Sequence, residues 1–140
     1  MSDETSRSAQ WIYEVLHSDP HLMSLVSGIY ELPAPTGTGF PLVAFSLVSA
    51  VDTTTGDTLY RILSRQIWTV RAVVEGHSYA SAIPIADRID ALLQNSSGTA
   101  DGAIIYHTSR ESSLRMAEEV EGKQYRHLGG TYRIACQRLP

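Results

Sequence analysis

The residues best suited to chemistry in this chain are five histidines, one cysteine and a pair of spaced aspartates. His17 and His21 stand four apart, the spacing at which one helix offers two imidazoles to a metal ion. Asp19-Pro20 lies between them, and a proline there breaks the helix that would align them. No third ligand is near in sequence, and neither an HExxH nor a CxxC signature occurs. His77, His107 and His127 are isolated. Cys136 has no partner for an internal disulfide. It sits in an alternating apolar run, which predicts a small core side chain rather than a nucleophile. Serine is plentiful, yet no GxSxG elbow is present. Asp87 and Asp90 could pair as acid and base, but they fall on the polar side of a predicted helix, where solvent is the simpler partner. Gly37-x-Gly39 precedes a strand instead of joining a strand to a helix, so it is no phosphate cradle. The pattern predicts no catalytic residue, no cofactor and no metal site.

The elements that carry these residues are clearest between Arg65 and Gln94. Gln66, Trp68, Val70, Ala72 and Val74 alternate with Arg65, Ile67, Thr69, Arg71, Val73 and Glu75, the period of a half-buried strand. The period then changes. Ala82, Ile85, Ala86, Ile89, Leu92 and Leu93 recur at steps of three and four, one stripe of a helix. Ser78 or Ser81 is the expected cap, with Pro84 in the first turn. Such a helix must fold back over the apolar face of the sheet.

Before this unit, Ala9, Ile12, Tyr13 and Leu16 mark a first helix, with Ser8 as its cap and residues 1–7 as a flexible arm. Asp19-Pro20 restarts the chain as a short helical turn that Gly28 ends. Glu31–Pro41 holds three prolines and two glycines and is the clearest loop. Leu42–Val51 reads as a strand with Val43, Phe45, Leu47 and Val51 on one face. Asp52–Asp57 is a turn, and the strand from Leu59 to Glu75 completes a hairpin. After the helix, Asn95–Gly102 reads as a flexible connection and Ala103–Thr108 as a strand. Ser109–Glu121 either extends that strand or stands off as a loop, and Glu118, Glu119 and Glu121 read as solvated. Gly122 turns the chain into a last strand, Tyr125–Arg138. Its Gly129-Gly130 implies a bulge or a close backbone approach, and Tyr132, Ile134 and Cys136 face inward. The expected fold is one α+β domain over residues 1–140, a mostly antiparallel four-stranded sheet with two main helices on one face, in the order α-β-β-α-β-β.

Composition narrows the function. The chain is 43% hydrophobic and 19% charged, as ordinary globular proteins are. No apolar run suits a membrane span, and MSDETSRSAQ resembles no secretory signal, so synthesis in the cytoplasm is expected. The net charge is −4. Residues 1–58 carry seven acids against Arg7 alone, −6, while residues 59–140 carry ten cations against eight acids, +2. Ten of the eleven cations are arginine, whose planar fork suits fixed pairing with carboxylates. No net basic stripe marks a nucleic-acid binder. The strand face bearing Arg65, Ile67, Arg71 and Val73 mixes apolar and arginine side chains and is the expected interface, with Trp11 on the first helix as a candidate anchor. Trp68 is expected in the core.

The phrase VLHSDPHLMSLVSGIYELPAP followed by FPLVAFSLV resembles the tail-completion or tail-terminator proteins of long-tailed bacteriophages. The resemblance rests on Asp19, Leu22, Leu25, Val26, Gly28, Ile29, Tyr30, Pro33, Pro35 and Pro41. The middle phrase adds Gly76, Ala80, Ile85, Ala86, Ile89 and Leu92, and EVEGKQYRHLGGTYRIAC resembles the closing strands of that family. Together these cover about residues 9–137, with Arg110–Glu119 outside the pattern. The resemblance implies a virion protein assembled in the host cytoplasm. It would form a homo-oligomeric ring, usually hexameric, at the head-proximal end of the tail tube. Its partners would be its own copies, the major tail tube protein and a head–tail connector protein, with phage DNA passing through the lumen without sequence-specific binding. No membrane, cofactor or catalysis is implied. A head–tail connector adaptor of similar fold is the alternative among assembly proteins. A small cytosolic enzyme or ligand-binding domain using the cleft between sheet and helices is the alternative from another class.

Overall fold

A computed structural model of the chain describes residues 4–54 and 61–139. The elements in order are α1 (Glu4–His17), α2 (Pro20–Leu25), β1 (Ile29–Glu31), β2 (Leu42–Thr54), β3 (Arg61–Glu75), α3 (Ile83–Leu93), β4 (Ser96–Ala100), β5 (Ala103–Val120) and β6 (Lys123–Arg138). The strands form one mixed sheet in the order β1-β2-β3-β6-β5-β4. β1 runs parallel to β2, and the other pairs are antiparallel.

This overturns the expected four-stranded, mostly antiparallel sheet with two main helices. The sheet has six strands, one pair of them parallel, and a single long helix, α1, beside the shorter α2 and α3. The two added strands are the ones that carry no periodic signal. β1 is three residues long, too short to show a period. β4 is SSGTA, a composition that reads as a turn, yet it pairs with β5 from Gly98↔Ile105 to Ala100↔Ala103. β5 runs on through the polar stretch to Val120 because β6 supplies partners for its backbone all the way. The expected arm is largely helix, since α1 starts at Glu4 and Ser8 lies buried inside it. Asp52, Thr53 and Thr54 of the expected Asp52–Asp57 turn continue β2, while residues 55–57 and the start of the strand at Leu59 lie outside the described residues.

The core lies between the helices and one face of the sheet. Gln66, Trp68, Val70, Ala72 and Val74 all face it, as the alternation predicts. Ile12, Leu16, Leu22, Ile85, Ile89 and Leu93 close it from the helical side, each with 1% exposure or less. Buried polar groups are paired in sequence along β3. The Trp68 indole donates to Gln66 Oε1 at 2.8 Å, and Gln66 Nε2 donates to Ser64 Oγ at 3.0 Å. Tyr132, Ile134 and Cys136 face inward from β6. Burial pushes the Cys136 thiol pKa up, away from the reactive thiolate.

Two polar ties lock the helices in place. Asp19 caps α2, accepting from the Leu22 N–H at 2.8 Å. Arg88 of α3 donates to the same carboxylate twice, from Nε at 2.8 Å and from Nη2 at 2.7 Å. Asp90 of α3 accepts from the Tyr132 hydroxyl of β6 at 3.0 Å. The cap of α3 differs from expectation. It is Ala82, with no side-chain bond, and Ser78 accepts from the Ala80 N–H instead.

Glycines set two close passages. Glu121 (φ 52°) and Gly122 (φ 80°) make the two-residue connection of β5 to β6, with both residues left-handed as a type I′ turn requires. At Gly129, a Cβ would stand 2.2 Å from the Val70 carbonyl oxygen and 2.5 Å from Arg71 Cα. At Gly130, it would stand 2.9 Å from the Ser112 carbonyl oxygen. The expected close approach is therefore real, and the irregularity sits opposite, in β5 between Arg110 and Ser112.

Candidate assembly interface

Among the described residues, no helix packs on the second face of the sheet. By register it presents Arg65, Ile67, Thr69, Arg71, Val73 and Glu75 from β3. Arg65 and Glu75 are exposed, and Ile67 and Arg71 are half-buried. Val73 is 7% exposed and belongs to a small second cluster with Leu42 and Ala44, flanked by Tyr30 and Tyr125. The Phe40 ring covers one side of that cluster, 5.0 Å from Tyr125. The face is thus closed near the Glu75 end of β3, and open and charged near Arg65.

Trp11 is not part of it. It is 3% exposed in the main core, and a Cβ at Gly98 would stand 2.7 Å from its indole nitrogen. Trp11 therefore seats α1 against β4, a role invisible while β4 reads as a loop.

One charged cluster lies across the covered part of the face. The His127 imidazole of β6 meets Glu118 Oε1 of β5 at 3.2 Å. Burial lowers the His127 pKa; the hydrogen bond to Glu118 opposes this, and the charge of Arg71 adds to it. Burial also lowers the Arg71 pKa, while Glu118 raises it. His127 Nδ1 and Arg71 Nε are buried with no hydrogen-bond partner among the described residues. Further along the sheet, opposite Ile67, Arg133 donates to Glu111 Oε1 at 2.6 Å. Arg65 makes no such pair among the described residues.

The two margins of the sheet are each half covered. On one side β1 pairs with Val43–Phe45 only, and the last rung is the Leu32 N–H donating to the Phe45 carbonyl at 3.0 Å. From Ser46 to Thr54, β2 has no second neighbour among the described residues. Leu47 and Val51, expected on one face with the buried Val43 and Phe45, are 40 and 64% exposed there, and Val48 between them is 58% exposed. A register shift at Val48 turns the alternation. On the other side β4 pairs with β5 only as far as Thr108, and the Gln94 side chain then accepts from the Arg110 N–H at 2.7 Å.

A groove of about 660 Å³ runs between α1 and β1, lined by Tyr13, Tyr30, Glu31, Pro33, Pro35 and Phe45 among others. It is open along its length, and its described lining brings together one acid and no histidine. His17 ends α1 and stacks on Tyr13 with ring centroids 5.1 Å apart, while His21 lies in α2. No group of three or more His, Cys, Asp or Glu among the described residues is placed to hold a metal ion. Asp90 is occupied by Tyr132 and stands 3.9 Å from Arg110 Nε. No helix among the described residues is long and apolar enough to cross a membrane.

No family model matches the chain, and no curated protein matches it. Among solved structures, a chain from the virion of a native gene transfer agent particle shares its fold. The TM-score is 0.65 at 15% identity, over 89% of this chain and 91% of that one.

Proposed function

We propose that this protein is a virion structural component that closes into a ring at the head-proximal end of a phage tail tube. The ring ends tube polymerisation and prepares the head–tail junction. One observation supports the reading most: a chain with the same fold over nearly its whole length belongs to a virion. The order and spacing of the tail-terminator phrases over about residues 9–137 point the same way. The uncovered sheet face and half-open margins give each copy two unlike surfaces, as a closed head-to-tail ring needs. The partners are further copies of the chain, the tail tube protein and the head–tail connector. DNA passes the lumen without sequence-specific contacts, and no catalytic step is involved.

The test is to produce particles without this protein and measure them by electron microscopy. Tails of unregulated length, unjoined to heads, are expected. Tails of uniform length joined to heads would contradict the proposal.

A further inference from the structure

We propose that neighbouring copies join edge to edge: the open half of β2 in one copy pairs antiparallel with the open half of β5 in the next. This rests on the ring reading above and names its contact.

The starting point is an imbalance of backbone hydrogen bonding. Residues 46–54 of β2 and residues 111–120 of β5 are extended strand with a partner on one side only among the described residues. Such edges offer rows of unpaired N–H and C=O groups, and soluble proteins blunt them with lysine, proline or inward charge. Ser46–Val51 (SLVSAV) carries none of these. It has only the irregularity at Val48, and it exposes three large apolar side chains. An edge left in that state is a template for another strand.

Strand direction selects the partner. Between β2 and β5 the chain reverses three times, at β2–β3, β3–β6 and β6–β5. β2 and β5 therefore run in opposite directions at opposite margins. A second copy set beside the first in the same orientation brings its β5 antiparallel to this β2, the more stable of the two pairings. The two open segments are of similar length. They also lie at different heights: Ser46 is level with Ser112 through Thr69 and Thr131, and β2 continues away from it in one direction while β5 continues in the other. Each copy must then step along the strands relative to the last. A closed ring accommodates that step by tilting its strands to the axis, as closed sheets do. β1 and β4 cover only the parts of the margins that such a step leaves outside the joint.

Hydrogen exchange on the full-length wild-type protein tests this, comparing dilute monomer with the assembled ring. Amides in 46–54 and 111–120 are expected to slow together by about tenfold or more on assembly. A ring that forms with both segments exchanging as in the monomer overturns the edge pairing and leaves the ring reading intact. No assembly at any concentration overturns both. Mixing supplies a second arm. Val48→Pro and Glu111→Pro place proline at irregular strand positions where it is tolerated, with folding checked by circular dichroism. Each variant alone is expected to stay monomeric, and an equimolar mixture to give heterodimers. Homodimers of Glu111→Pro alone would show two-fold β2–β2 pairing instead and overturn the proposal, as would rings of either variant.

Discussion

Asp19 holds two helices with one carboxylate, capping α2 and receiving the Arg88 fork from α3. The Arg88 hydrogen bonds, then that of the Leu22 N–H, lower its pKa from 3.8 to about 2. A depressed carboxylate contributes stability that is present above the unfolded value and lost as pH falls through the folded one. Denaturant midpoints of the wild type should therefore fall between about pH 4 and pH 2, and Asp19→Asn should be less stable at neutral pH and flatter in that window. An unchanged slope would remove Asp19 from the acid response. His127 has the same sign by a different cause. Burial lowers its pKa below 6.5, so the unfolded chain binds the extra proton first, and stability declines as pH drops below that value. The groups facing it, Glu118 from β5 and Arg71 from β3, respectively oppose and reinforce the shift. His127→Gln should flatten the stability profile below pH 6.5; a profile as steep as the wild type would assign that slope to other groups. Arg65 and Arg71 also separate at this scale. Arg71→Glu would place a second acid beside Glu118 and disturb the fold, so it cannot report on assembly alone. Arg65→Glu is the cleaner probe. It should leave thermal unfolding within about 0.5 kcal/mol of wild type, as surface changes do, and weaken self-association several-fold by sedimentation.

At the scale of elements, α3 and the β3–β6 pair carry the fold. Ile89 has no exposure, and Ile89→Asp buries a charge in the helix–sheet seam, which should abolish the folded circular dichroism signal. Gly129→Ala drives a methyl against the Val70 carbonyl, so the two strands must part, at a cost of about 1–3 kcal/mol in denaturant unfolding. A neutral result would mean β3 and β6 are less closely apposed. The same elements are the ones most legible in the amino-acid sequence. The alternation from Gln66 to Val74 and the stripe from Ile85 to Leu93 stand out because one partner layer dictates one periodic face. Asp19-Pro20 and Gly129-Gly130 stand out because their backbone demands are local. Legibility stops where partners are distant. Val73 sits on the outer alternation yet is buried, because Leu42, Ala44 and Tyr30 from other strands cover it. Trp11 reads as a candidate surface anchor until β4 is known to pass beneath it. SSGTA and the polar half of β5 become strands only through the neighbours that bond to them, which composition does not record.

For the whole molecule, the candidate interface is a property of the sheet rather than of any motif. Charge is uneven along the chain, and among the described residues one sheet face lacks helical cover and the two margins are open at opposite heights. These features make one copy unlike front and back, which suits repetition around an axis. The most direct test is native mass spectrometry of the full-length chain across a concentration series to tens of micromolar, with electron microscopy of whatever species forms. A single closed assembly, hexameric as the tail-terminator resemblance implies and with an open axis in projection, is the predicted result. A chain that stays strictly monomeric across the series, or that stops at a two-fold dimer with no open lumen, would contradict a ring-forming function.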